Sequence, residues 1–217
     1  MSFVAVDHLV VAAATLDEGA AWCERTLGVS PDAGGRHALF GTHNRVLNIA
    51  SASHPQAYLE VIAIDPEAPP PARARWFGLD EIDLSSGPRL IHWVGRSPML
   101  DMHRWGLINV GEAPGDPVAA SRPAPQGLLQ WQILVREDGR LPHAGALPTL
   151  IQWQGTHPTA AMPARGVALQ ALVVNHLPLR VREVLRLRGV EAVDDAGPAL
   201  RARLRTPLGD VTLESST

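Results

Sequence analysis

The sequence predicts an α+β protein in which a strand–helix–strand–strand–strand (βαβββ) unit recurs along one chain of 217 residues. Three observations carry this expectation. Val- and Ile-rich segments such as Phe3 to Ala13 and Ala57 to Ile64 read as buried strands. A helix with its own start and stop signals lies between them. The same order of elements then returns downstream, and a repeated pattern is the signature of a repeated structural unit.

The first unit spans residues 1–65. After the strand Phe3 to Ala13 comes Thr15-Leu16-Asp17-Glu18, a capping box that satisfies the first free N–H groups of a helix. That helix runs to Leu27, and Gly28 ends it. Pro31 to Gly35 reads as a loop. Arg36 to Phe40 and Arg45 to Ala50 read as short strands around a turn at Gly41-Thr42-His43-Asn44, where Gly and Asn tolerate positive φ. Ala57 to Ile64 closes the unit. Residues 66–87, rich in Pro and Ala, form a linker in which Trp76-Phe77 is placed to plug one end of a pocket.

Residues 88–157 form a second, divergent unit. Its strands are Leu90 to Ser97, Leu128 to Arg136 and Leu150 to Gln154, with a helix over Met99 to Ile108. The stretch Gly111 to Pro125 leaves room for an edge strand at Val118 to Arg122. Residues 166–217 read as a third, partial βαββ unit on the same domain. It has a strand at Val167 to Val174, a helix over Leu179 to Arg188 stopped by Gly189, and strands at Leu200 to Arg205 and Asp210 to Glu214. Sliding Gly28 onto Gly189 pairs Leu16 with Leu177, and Leu59-Glu60 is echoed by Leu213-Glu214.

Composition narrows the class. Apolar residues make up 46% and charged residues 19%, which suits a globular chain rather than a disordered one. The net charge is −3 and the basic residues form no long run, so no nucleic-acid partner is expected. Arg180, Arg182, Arg186 and Arg188 read as the wet face of the last helix. Cys23 is the single cysteine, which excludes an internal disulfide and fits a reducing compartment. The N-terminal segment lacks the features of a signal peptide, and no apolar run approaches the ~20 residues of a membrane span. A cytoplasmic location without membrane association is expected.

The motifs Asp7-His8-Leu9-Val10-Val11, Gly35-Arg36-His37, Gly41-Thr42-His43-Asn44-Arg45 and Tyr58-Leu59-Glu60-Val61-Ile62, with the Trp22 helix ending Leu27-Gly28, resemble the vicinal oxygen chelate superfamily. Within it, the chain resembles the glyoxalase-like domain proteins. The first 65 residues carry most of this likeness. The resemblance implies that two βαβββ units form one curved mixed sheet, as in glyoxalase and bleomycin-resistance proteins. Helices would cover the outside, and a small-molecule ligand would occupy the concave face. It further implies that metal-using members place one ligand on the first strand and one on the last strand of each unit.

In the first unit those positions are His8 and Glu60. Strand side chains alternate, so His8 shares a face with Val10, and Glu60 with Tyr58 and Ile62, while Leu9, Val11, Leu59 and Val61 face the helix. A seven-residue step leads back from Thr15, just before the first helix, to His8. The same step from Met99 lands on His92. The last strand of the second unit offers Gln152 opposite Glu60. His8, Glu60, His92 and Gln152 would suit one divalent metal such as Zn, Ni, Co, Mn or Fe. Such a metal would polarise a substrate oxygen, with Glu60 the catalytic carboxylate. The competing reading keeps His8 as a buried hydrogen-bonding group and pairs Glu60 with Arg36 or Arg45.

Arg36, His43, Asn44 and Arg45 form a candidate rim for an anionic substrate group. They also fit as ordinary turn residues and solvated charges. Trp93 and Trp131, with Trp153, lie on expected strands of the second unit and fit either a pocket wall or the core. Tyr58 and His103 are further acid/base candidates with no geometry to fix them. Two functions follow from the resemblance: a metal-dependent lyase, isomerase or dioxygenase, or a metal-free protein that sequesters a small molecule; a regulatory or structural homo-oligomer whose cup is filled by its own side chains is the third reading. A homodimer is compatible with either.

Overall fold

The computed structural model describes residues 3–124 and 127–215. Pro125, where the expected long stretch ended, and the outermost residues of the first and third expected units lie outside them. The first unit runs β1 (Ala5–Ala12), α1 (Leu16–Leu27), β2 (Asp32–His37), β3 (Thr42–Asn48) and β4 (Tyr58–Ile64). The second runs β5 (Arg89–Arg96), α2 (Leu100–Asn109), β6 (Asp116–Ala124), β7 (Gly127–Val135) and β8 (Thr149–Gln154). Together they form one curved eight-stranded sheet in the order β2-β3-β4-β1-β5-β8-β7-β6. β1 and β5 pair antiparallel at its centre, and each pairs parallel with the last strand of its own unit, β4 or β8. The two units thus repeat one pairing about a local twofold axis between β1 and β5.

Local chemistry explains the boundaries. The Thr15 hydroxyl accepts from Glu18 N at 3.1 Å, and Gly28 ends α1 in the left-handed conformation at φ 76°. Strand alternation then sorts the side chains. Leu9, Val11, Leu59 and Val61 pack with Cys23 and Leu27 beneath α1, as expected. Val10, Ala12 and Ile62 point the other way, into a second apolar cluster with Phe40, Trp131, Ile133 and Ile151 that lines the concave face. Trp76 and Phe77 are buried in that cluster and line the cavity of the bowl.

Three local expectations need correction. Residues 32–35, read as loop, belong to β2, and the turn falls at residues 38–41. His43, Asn44 and Arg45 therefore sit on β3. Gly34 and Gly35 are not loop glycines: a Cβ on Gly34 would lie 2.0 Å from Asn44 Oδ1, and one on Gly35 2.9 Å from Arg122 Cδ. They are small because neighbours occupy the space. In the third unit, α3 (Leu179–Leu185) stops before Arg188, with Arg186 in the left-handed conformation at φ 50°.

The third correction concerns topology. β9 (Ala168–Asn175), α3, β10 (Val190–Val193), β11 (Leu200–Thr206) and β12 (Gly209–Glu214) form a separate four-stranded sheet, ordered β10-β9-β11-β12. β10 was not anticipated. Here the first strand pairs with the second and third strands of its unit, not with the last. The segment shares the element order of the other two but is no structural copy. Glu214 is exposed on β12 and paired with Arg201, so its echo of buried Glu60 has no structural meaning. Leu169, Leu172, Leu200, Ala202 and Leu204 join Leu9 and Trp93 in one core, so this sheet covers the outer face of the first. No helix among the described residues is long and apolar enough to cross a membrane.

Candidate functional site

The floor of the bowl holds three buried charged groups. Asp7 is 0% exposed, and His8 and Glu60 are each 4% exposed. The β1–β5 register shifts between Val6 and His8, which places Asp7 at an irregularity in the strand. His8 Nδ1 donates to Asp7 Oδ1 at 2.7 Å, and His8 Nε2 faces Glu60 Oε2 at 3.5 Å. The second oxygen of Asp7 accepts from Trp153 Nε1 at 2.9 Å and lies 3.0 Å from His157 Nε2. Glu60 Oε1 accepts from Asn44 Nδ2 at 2.5 Å, and Asn44 Oδ1 accepts from Gly35 N at 2.7 Å. The Tyr58 ring stacks on His8 with centroids 4.5 Å apart.

These contacts set the charges. Burial alone would lower the His8 pKa, but the hydrogen bond to Asp7 and the Glu60 carboxylate outweigh it and raise the value to about 9. Burial pushes Glu60 upward, and His8, His37 and Asn44 reverse that and hold it below its ordinary value. Asp7 is likewise held down against burial by His157 and His8. Neighbouring His37 behaves oppositely: burial lowers it to about 4, so it stays neutral. Burial, with the Asp7 and Glu60 carboxylates nearby, keeps the Tyr58 phenol protonated. The floor at neutral pH is an imidazolium between two carboxylates.

Above it is a cavity with free space of about 30 Å³, room for about one water molecule. His8, Tyr58, Glu60, Trp131, Trp153 and Arg122 line it. Trp131 and Trp153 meet at 5.3 Å between ring centroids. Arg122 comes from edge strand β6 and donates to Gly34 O on the opposite edge strand β2 at 3.4 Å, so it spans the mouth. No carboxylate pairs with Arg122 within 4.0 Å among the described residues.

The twofold axis tests the expected metal set. It carries His8 onto His92, because the same offset carries Leu16, first residue of α1, onto Leu100, first residue of α2. Val10 lies opposite both Glu60 and His92, and Val94 lies opposite both Thr149 and His8. The counterpart of Glu60 is therefore Thr149, not Gln152. Gln152 faces the helix layer, where its Oε1 accepts from Leu100 N at 2.8 Å and caps α2. His92 is buried with both ring nitrogens engaged: Nδ1 with Gly145 O at 3.1 Å, and Nε2 with Thr149 N at 3.1 Å and Thr149 Oγ1 at 3.0 Å. Burial lowers its pKa to about 3. The Nε2 lone pair that a metal would use accepts a backbone N–H instead. Among the described residues, no three His, Cys, Asp or Glu side chains converge to hold an ion. The residues present do not fit the four-ligand site.

The other candidates separate by face. Asn44 and Trp131 look into the bowl. Trp93 does not: it is fully buried in the helix-side core and its Nε1 donates to Ala146 O at 3.0 Å. His43 and Arg45 pair with Ala63 and Val61 on β4 and share the outer face of Val61. Arg45 is bonded there to Asp17 at 2.6 Å. Arg36 is exposed and paired with Glu67 and Asp65. The rim cation is Arg122, which gave no sequence signal beyond its place in a tentative edge strand. Asp7 lay within the recognised motif but was not singled out, and His157 comes from a short turn beyond β8 that no local pattern links to β1.

A glyoxalase-like domain family model matches residues 6–186. A hypothetical protein from Staphylococcus aureus has the same fold, with a TM-score of 0.58 at 12% identity over 99% of this chain and 87% of that one. Methylmalonyl-CoA epimerase from Mycobacterium tuberculosis aligns at a TM-score of 0.42 and 16% identity, over 72% of this chain and 91% of that one. A methylmalonyl-CoA epimerase of Streptomyces coelicolor aligns at 0.43 and 12%, over 70% and 97%. No curated protein matches. The paired βαβββ units, the curved sheet and the family match agree: the chain belongs to the glyoxalase-like domain family and has the vicinal oxygen chelate fold.

Proposed function

We propose that the bowl binds a small oxygenated organic acid and transfers a proton on it without a resident metal. The observation that carries this reading is His8, buried between the Asp7 and Glu60 carboxylates, which raise its pKa. Burying three charges in an apolar floor costs stability, and strongly shifted groups gathered in a cleft mark a candidate functional site. Glu60 is the base. It would take a proton from carbon next to a carbonyl, leaving the electron pair on the carbonyl oxygen. Arg122, across the mouth, would neutralise that oxygen. His8 keeps Glu60 ionised and Asp7 fixes the imidazole. In this conformation the space fits about one water, so a substrate enters only as the wall of Trp131, Trp153 and Met162 moves outward.

The aromatic wall favours a second reading, a binder that encloses its ligand without turnover. Deuterium exchange into small 2-oxo and 2-hydroxy acids, pyruvate first, separates the two. The chelator-treated protein should accelerate exchange, and Glu60→Gln should slow it on the order of 10²-fold. Saturable binding without exchange would favour the binder. Exchange that returns only on adding a divalent cation would overturn the metal-free reading.

A further inference from the structure

A second cavity lies behind the Trp153 wall. Its volume is about 590 Å³, within the range of small-molecule pockets. Phe3, Gln56, Arg96, Trp153, His157 and Arg188 are among the residues around it, and among the described lining residues there is no carboxylate. Arg96 Nη1 is buried and has no hydrogen-bond partner. Its nearest carboxylate oxygen, Asp7 Oδ2, is 3.8 Å away and already faces Trp153 Nε1 and His157 Nε2. Arg188 makes no ion pair with a carboxylate within 4.0 Å among the described residues. It lies off the helix, held because its backbone N donates to Val4 O at 2.9 Å and its strand bridge is to Ala5. One arginine thus comes from β5 and the other from the segment joining α3 to β10, and the two meet at one pocket.

We infer that this pocket is an anion site for a small organic molecule bearing a carboxylate or phosphate. Arg96 and Arg188 would take the charged oxygens. Gln56 would supply a further polar contact, and Trp153 and Phe3 would cover the apolar body. Guanidinium groups favour forked oxyanions, and the part of the Arg96 side chain that remains exposed lies at this pocket. The site lies outside the bowl and stands whether or not the bowl turns over a substrate.

Calorimetric titration of the whole chain at low salt tests it, with benzoate and inorganic phosphate as probes and benzamide as the neutral control. Saturable binding of either anion is expected, weakened at least tenfold by Arg188→Met, an exposed position where folding is not at stake. Arg96→Met should weaken it further. Tighter benzoate assigns a carboxylate ligand, and tighter phosphate a phosphate ester. Absence of saturable binding, equal binding of benzamide, or binding that Arg188→Met leaves unchanged would overturn the inference.

Discussion

A protonated imidazole between two carboxylates stabilises the folded chain only while it keeps its proton. The His8 value rises from 6.5 to about 9, so its contribution is complete below the unfolded value and is lost as pH climbs through about 9. Asp7 and Glu60 are held low, so their contributions stand at neutral pH and fade on acidification. His37 and His92 stay neutral down to about 4 and 3, and the unfolded chain outcompetes them for protons below 6.5. Stability should therefore peak near pH 6.5 to 7 and decline on either side. Denaturant titrations from pH 7 to 9.5 should show roughly 2–4 kcal/mol of alkaline loss in the native protein. His8→Gln should remove most of that slope, and an unchanged slope would refute the protonated state. His8 and Glu60 were legible in the sequence because alternation fixes a strand side chain's face. Arg122 and His157 were not, because strand curvature and a distant turn bring them to the site.

Elements carry the lesson of register. The offset from helix start back to strand found His92 correctly, since β1–α1 and β5–α2 have the same connection length. No such offset governs β8, where Gln152 lies three positions past Thr149, the counterpart of Glu60. A one-residue slip in a strand exchanges its faces, and three slips do the same. Gln152 consequently serves α2, whose preceding residue Met99 makes no side-chain cap. Gln152→Ala should cost about 0.5–2 kcal/mol, the usual price of losing a helix cap, and leave the His8 titration intact. Urea unfolding and an NMR pH series check both halves. The glycines of β2 resemble a loop signal in sequence, but they are there because Asn44 and Arg122 fill the space their side chains would need.

At the scale of the molecule, the third segment is part of the main core. Leu169, Leu200 and Leu204 are fully buried in the same cluster as Leu9, Trp93 and Leu59. A chain cut after residue 165 should expose that face and aggregate rather than fold, which solubility and near-ultraviolet circular dichroism would show. A soluble, cooperatively folding fragment would refute the shared core. Sequence order revealed the third segment's elements but not its pairing, because pairing partners depend on contacts far apart in the chain. The arrangement of the main sheet has one more effect. Its end strands, β2 and β6, are raw edges with unpaired backbone groups, the kind that recruit strands from other molecules. Pro117 and Pro123 withhold two amide donors along β6, and Gly34-Gly35 weaken β2 as a template. With Arg122 latched across the gap, the two edges are held toward each other, and a strand from a second copy finds little to pair with there.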